Sequence, residues 1–233
     1  MKLSKLLLAG TAILALVASP VLASEPGTWT LRAGVGTVQP ESNNLTFSDG
    51  VDTLRVDVDS GTAMTLSATY MFSENWGFDI LAATPFSHDI NAAVVLGGPG
   101  PGPNMTPFVK IAETKQLPPT FSVQYHFVPD GTFQPFVGLG FNWTTFFDTK
   151  VSPDLAAQGI TDLDLDDSFG LAAQIGADWN INDNWLVNFD VRWINIESDA
   201  KLTATVPAPA EVLEIGTVTI DPWVYAINLG YRF

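Results

Sequence analysis

The sequence predicts an all-β protein, an eight-stranded antiparallel transmembrane β-barrel. Three observations carry that expectation. Eight segments alternate apolar and polar residues with period 2, and their apolar faces are almost free of charge. The connections between them alternate between short polar turns and long segments. Beyond the first 23 residues, no apolar run approaches the roughly 20 residues that a spanning helix needs.

The leading residues resemble an export signal. Lys2 and Lys5 form a basic start, residues 6–18 an apolar stretch, and Val21-Leu22-Ala23 offers small residues for cleavage after Ala23. The expected division is a signal peptide over residues 1–23 and a barrel over residues 24–233. The barrel segment carries 8 basic against 25 acidic side chains, a formal charge of −17. Such acidity disfavours nucleic acid, whose phosphates it would repel. Cysteine is absent, which excludes disulfides, thiolate metal sites and cysteine nucleophiles.

The first strand is expected over residues 28–38, with Trp29, Leu31, Ala33 and Val35 on one face and Arg32, Gly34 and Gly36 on the other. The second, residues 62–72, sets Met64, Leu66, Ala68, Tyr70 and Phe72 against Thr65, Ser67 and Thr69. The third, residues 76–83, opposes Trp76, Phe78, Ile80 and Ala82 to Gly77 and Asp79. The fourth runs from residue 117 to 127, with Leu117, Phe121, Val123, Tyr125 and Phe127 facing away from Thr120, Ser122, Gln124 and His126. The fifth presents Val137, Leu139, Phe141 and Trp143 against Gly138, Gly140, Asn142 and Thr144. The sixth presents Phe169, Leu171, Ala173, Ile175, Ala177 and Trp179 against Ser168, Gln174 and Asp178. The seventh presents Trp185, Val187, Phe189, Val191 and Trp193 against Asn188, Asp190 and Arg192. The eighth presents Trp223, Tyr225, Ile227, Leu229, Tyr231 and Phe233 against Asn228, Gly230 and Arg232. The nearly uncharged face of each is the lipid face.

Residues 73–75, 128–133 and 182–184 are the short turns, and residues 40–61, 85–115, 148–167 and 197–221 the long outer loops. Short periplasmic turns with long outer loops place both chain ends in the periplasm. Aromatic residues then fall into two girdles. Trp29, Tyr70, Phe72, Trp76, Tyr125, Phe127, Trp179, Trp185, Tyr231 and Phe233 mark the periplasmic interface, and Trp143, Trp193 and Trp223 the outer one. A soluble up-and-down barrel would turn its polar face to water. Here the polar face is rich in Gly and pairable charges, as a narrow lumen requires.

Several strings resemble the OmpW family of small outer-membrane barrels: LAATPFSH at 81–88, LPPTFSVQYHF at 117–127 and QPFVGLGFNW at 134–143. The ending Tyr231-Arg232-Phe233 is similar too, a terminal aromatic of the kind that outer-membrane assembly machinery reads. The resemblance spans the mature chain. It implies the outer membrane of a Gram-negative bacterium, and passage of small hydrophobic molecules across the outer leaflet without a wide aqueous pore. The Gly- and Pro-rich stretch at 97–107 is long for the family.

An eight-stranded barrel is just wide enough for side chains to fill it or for one small ligand. The inward charges Arg32, Asp79, Asp178, Asp190, Arg192 and Arg232 are therefore expected to pair into a polar plug, since an unpaired buried charge is costly. Above them Leu81, Ala83, Phe146, Ile194, Ile196, Val224 and Ala226 would line an apolar funnel open to the outside. The plainer alternative is that they pack beneath folded loops. A guest stopped by the plug would leave sideways. Pro85, Pro118 and Pro119 face one seam and remove ladder donors there, although strand termination alone would explain them.

Two other features point more weakly to chemistry. Asp162, Asp164, Asp166 and Asp167 could attract a divalent cation, but the run lacks the glycine turn and closing glutamate of a calcium loop and reads as a solvated acidic loop. Ser87-His88 hints at an esterase, yet neighbours on a strand point to opposite faces and the other histidine, His126, lies at the far end. No enzyme activity and no cofactor are expected. The expected partners are outer-membrane lipids and lipopolysaccharide, small hydrophobic solutes, and the assembly machinery through Phe233. The alternative function is a structural or receptor barrel whose acidic loops bind an extracellular partner.

Overall fold

The computed structural model describes residues 25–48, 51–96, 105–206 and 209–233. The segment 1–23, expected to be a signal peptide, lies outside the described residues, as do residues 97–104 of the Gly- and Pro-rich stretch. Along the chain run β1 (Trp29–Gln39), β2 (Leu45–Ser48), β3 (Thr53–Val58), β4 (Gly61–Met71), β5 (Trp76–Ala83), β6 (Phe86–Val95), β7 (Val109–Leu117), β8 (Thr120–His126) and β9 (Phe133–Val151). There follow α1 (Pro153–Ala157), β10 (Ile160–Leu165), β11 (Ser168–Asn180), β12 (Trp185–Ile194), β13 (Glu197–Ala204), β14 (Glu211–Thr219) and β15 (Trp223–Arg232).

Eight of these close a ring of antiparallel pairs in the order β1, β4, β5, β8, β9, β11, β12, β15 and back to β1. Closure leaves no free sheet edge, so the backbone N–H and C=O groups of the ring strands pair with neighbouring strands, as a membrane-spanning strand requires. The chain ends take part: Trp29 and Phe233 exchange backbone hydrogen bonds at 2.9 Å in both directions. Side chains alternate as expected. Leu139, Leu171 and Phe169 are 70–73% exposed on the outer face, while Asp79 and Asp178 are fully buried in the lumen.

At the end of the short turns the girdle's aromatic rings meet in neighbouring-strand pairs. Trp29 meets Tyr70 at 4.9 Å, Trp76 meets Tyr125 at 5.0 Å, and Trp185 meets Tyr231 at 4.9 Å between ring centres. At the opposite end Trp143 stacks on Phe169 at 5.8 Å, and Trp193 lies opposite Trp223 in the β12–β15 register.

The long connections are themselves largely structured. They contain β2, β3, β6, β7, α1, β10, β13 and β14, which build a crown above the membrane. One part of the crown pairs in the order β2-β3-β6-β7 and joins the long β9, and the other is a three-stranded sheet β10-β13-β14. The fourth strand differs from the expectation. It does not run unbroken from residue 117, because Pro118-Pro119 divides it into β7 and β8.

Between ring and crown lies an apolar core in which Val38, Phe86, Ala112, Ile194, Ile196 and Val224 are buried. The crown covers this apolar surface, and its burial favours the hairpins' folded state.

Candidate functional site

The lumen narrows to a network of charged side chains. Arg32 on β1 reaches across to Asp178 on β11, donating from Nε to Oδ1 at 3.1 Å and from Nη2 to Oδ2 at 2.5 Å. Its Nη1 donates to Thr69 Oγ1 at 2.5 Å, and that hydroxyl donates to Asp79 at 2.7 Å. Arg192 on β12 links Asp79 at 2.8 Å and Asp190 at 2.7 Å. Each of these charges is nearly or fully buried, so the pairing offsets a large desolvation penalty rather than adding net stability. Arg232 departs from the expected pattern. Among the described residues it pairs with no aspartate and donates instead to Gln134 Oε1 at 2.8 Å.

The lumen around the charges is filled by two large residues that the sequence pattern does not flag. Phe136 and Leu186 point inward, at 1% and 0% exposure. Glycines opposite them make the room. A Cβ on Gly176 would sit 2.4 Å from Phe136 Cζ, and one on Gly230 would sit 2.4 Å from Leu186 Cδ1. The Arg32 guanidinium lies 5.9 Å from the centre of the Phe136 ring, and the His126 ring 5.1 Å from it. Packing as well as paired charge fills this part of the lumen.

Above the charges the walls turn apolar. Ile194, Ile196 and Val224 belong to the buried core, and Ala83 and Phe146 pack against it. Leu81 and Ala226 sit lower, beside Asp190 and Arg192. Over this floor the crown encloses a cavity of about 50 Å³. Of the seven residues expected to line a funnel, Phe146 alone lines this cavity. Its other walls are crown residues such as Leu54, Val56, Ile90, Ile111, Leu202 and Ile215. A cavity that holds benzene has roughly 150 Å³, so a guest of that size requires the hairpins to part.

Three polar side chains line the cavity, His88, Thr114 and Gln116. His88 Nδ1 lies 2.7 Å from the Asp59 carbonyl oxygen, and Gln116 Nε2 lies 2.9 Å from His88 Nε2. Burial pushes the His88 imidazole below its ordinary range, and the bond to Asp59 works the other way.

The three prolines meet at one interruption. The β5–β8 ladder ends at Leu81 with Thr120, and the β6–β7 ladder begins at Phe86 with Gln116. Residues 82–85 and 117–119 face each other between them without ladder pairing. The flanking seams stay closed: Thr84 N donates to Met64 O at 2.9 Å, and Trp143 N donates to Pro119 O at 3.1 Å. The gap is level with Trp143 of the outer girdle. Gln116, the first paired residue above it, also lines the cavity.

The other sequence candidates are dispersed. Ser87 Oγ donates to Glu113 at 3.1 Å on the exposed face of β6, opposite the buried His88. Asp162 and Asp164 lie exposed on β10, Asp166 pairs with Lys201 at 2.7 Å, and Asp167 accepts from Trp143 Nε1 at 3.0 Å. Among the described residues no three acidic or histidine side chains gather as a cation site.

Comparison with known proteins agrees with this architecture. Residues 25–233 match the OmpW family. The chain is 42% identical over 226 residues to outer membrane protein W of Vibrio cholerae, covering 96% of this chain and 97% of that one. The crystal structure of the outer membrane protein OprG from Pseudomonas aeruginosa superposes with a TM-score of 0.76 at 34% identity, covering 91% and 99% of the two chains. A more distant relative, 24% identical over 219 residues covering 93% of each chain, is the dibenzothiophene metabolism operon protein PahQ of Pseudomonas aeruginosa. The chain belongs to the OmpW family of outer-membrane β-barrel proteins.

Proposed function

We propose that this barrel is a passive channel for small hydrophobic molecules, entered from outside through the crown and left sideways into the membrane. The observation that carries the reading is the juxtaposition of an apolar cavity, a closed polar lumen beneath it and an unpaired seam beside it. A guest in the cavity meets paired charges below, where desolvation opposes its passage. The seam opens instead on hydrocarbon, so lateral release is downhill. The name of the relative PahQ, which ties that protein to metabolism of an apolar aromatic, is consistent with such cargo. Lipopolysaccharide would surround the outer girdle, and Phe233 would present the assembly signal. No catalytic step is proposed.

The test compares naphthalene uptake by cells with and without the protein. Slower uptake on deletion supports the channel. Equal uptake favours a structural or receptor barrel.

A further inference from the structure

The hydrogen bonds around His88 determine which way Gln116 faces. A carbonyl oxygen only accepts, so His88 Nδ1, 2.7 Å from the Asp59 carbonyl, carries the proton. In the neutral ring His88 Nε2 is then an acceptor, and the Gln116 group 2.9 Å from it is the amide NH₂, which donates. This leaves Gln116 Oε1 as the amide's other polar atom, and it makes no hydrogen bond. Gln116 is 1% exposed and lines the apolar cavity. Buried acceptors are nearly always satisfied, so a lone one at a guest site asks for a donor from the guest.

We propose that the cavity selects apolar guests bearing one hydrogen-bond donor, alcohols and phenols over hydrocarbons and ethers, and that Gln116 reads the donor. This rests on the cavity being the guest site of the channel. The orientation chain makes the selectivity directional. A hydroxyl completes Gln116 Oε1, a hydrocarbon leaves it unmade, and an ether brings a second acceptor. Discrimination of this kind arises because the wrong guest leaves a buried polar atom unpaired. One neutral hydrogen bond corresponds to a preference of about fivefold.

The test uses the full mature barrel in lipid nanodiscs, with labelled methyl groups on Ile90, Ile111 and Leu202 and a labelled Gln116 side-chain amide. Nuclear magnetic resonance follows titrations with 1-hexanol, n-hexane and methyl pentyl ether, compared at equal concentration within the bilayer. The proposal expects 1-hexanol to bind about fivefold more tightly than the other two and to shift the Gln116 amide. In Gln116→Met, shown to be folded by its heat-modifiable gel mobility, the three should bind alike. Equal affinities for all three in the unmodified protein overturn the selectivity while leaving the cavity as a guest site. If none of them shifts the cavity methyls, the guest-site reading itself fails and the selectivity with it.

Discussion

Arg32 and Asp178 lie 146 residues apart in sequence and meet across the lumen through two parallel hydrogen bonds, with both side chains buried. Asn188 Nδ2 adds a further bond to Asp178 at 2.7 Å. Arg32→Ala strands a buried carboxylate and should destabilise the barrel by about 3–5 kcal/mol. The double variant Arg32→Met/Asp178→Asn removes both charges and should recover most of that loss. Urea unfolding midpoints in lipid check both. Equal midpoints for Arg32→Ala and the parent would show that the plug does not depend on this pair.

The close contact between Gly176 and Phe136 predicts a size coupling. Gly176→Ala drives a methyl into the Phe136 ring and should cost about 1–3 kcal/mol. Adding Phe136→Leu removes the ring clash but leaves the Phe189 carbonyl oxygen 2.7 Å from the new Cβ, so the double variant should lose less stability than the sum of the two single variants. Additive losses would contradict the contact.

His88 links the crown to pH. Its folded-state imidazole titrates below the ordinary value of 6.5 because it is buried, while an opened crown restores the ordinary value. The open state therefore binds the proton more readily, so crown stability is level above the open-state value and falls as pH drops through it. Hydrogen exchange at the backbone amides of β6 and β7 should quicken below about pH 6.5, and His88→Gln should flatten that dependence. Exchange in the parent that is independent of pH, after correction for the intrinsic rate, would refute the link.

Topology is open to direct labelling because the chain has no cysteine. Asp154, exposed on α1, lies in the crown, and Asp183, exposed in the turn before β12, lies at the other end. A membrane-impermeant maleimide should label Asp154→Cys in intact cells and Asp183→Cys only after permeabilisation. The opposite pattern would invert the barrel.

The ring was legible in the sequence because a strand with lipid on one side and a narrow lumen on the other alternates apolar with polar or small residues over most of its span, as β12 does from Val187 to Trp193 and β15 from Ile227 to Arg232. The crown was not. In β3 the alternation of Leu54, Val56 and Val58 with Arg55 and Asp57 is present but short, and β14 mixes Glu211, Leu213 and Glu214 on faces that are largely exposed. Inward Phe136 was hidden by its apolar neighbour Val137, and the glycine that admits it, Gly176, lies 40 residues away. Arg32, Arg192 and the three aspartates were findable because a charge inside a period-2 strand has one face available to it. The partner of Arg232 was not, because Gln134 carries no charge to mark it.

The central claim, lateral release through the gap between residues 82–85 and 117–119, is tested most directly by restoring its missing donors. Pro85→Val and Pro118→Val, the two prolines whose missing donors face the gap, together allow the β5–β8 and β6–β7 ladders to join, each new bond contributing about 1 kcal/mol. Naphthalene uptake is then measured in cells carrying equal amounts of folded parent and double variant. The account predicts that uptake falls to the level of cells lacking the protein while the unfolding midpoint holds or rises. Uptake equal to the parent's in the folded double variant would contradict it, and the guest would have to leave through the periplasmic end past Arg32 and Phe136.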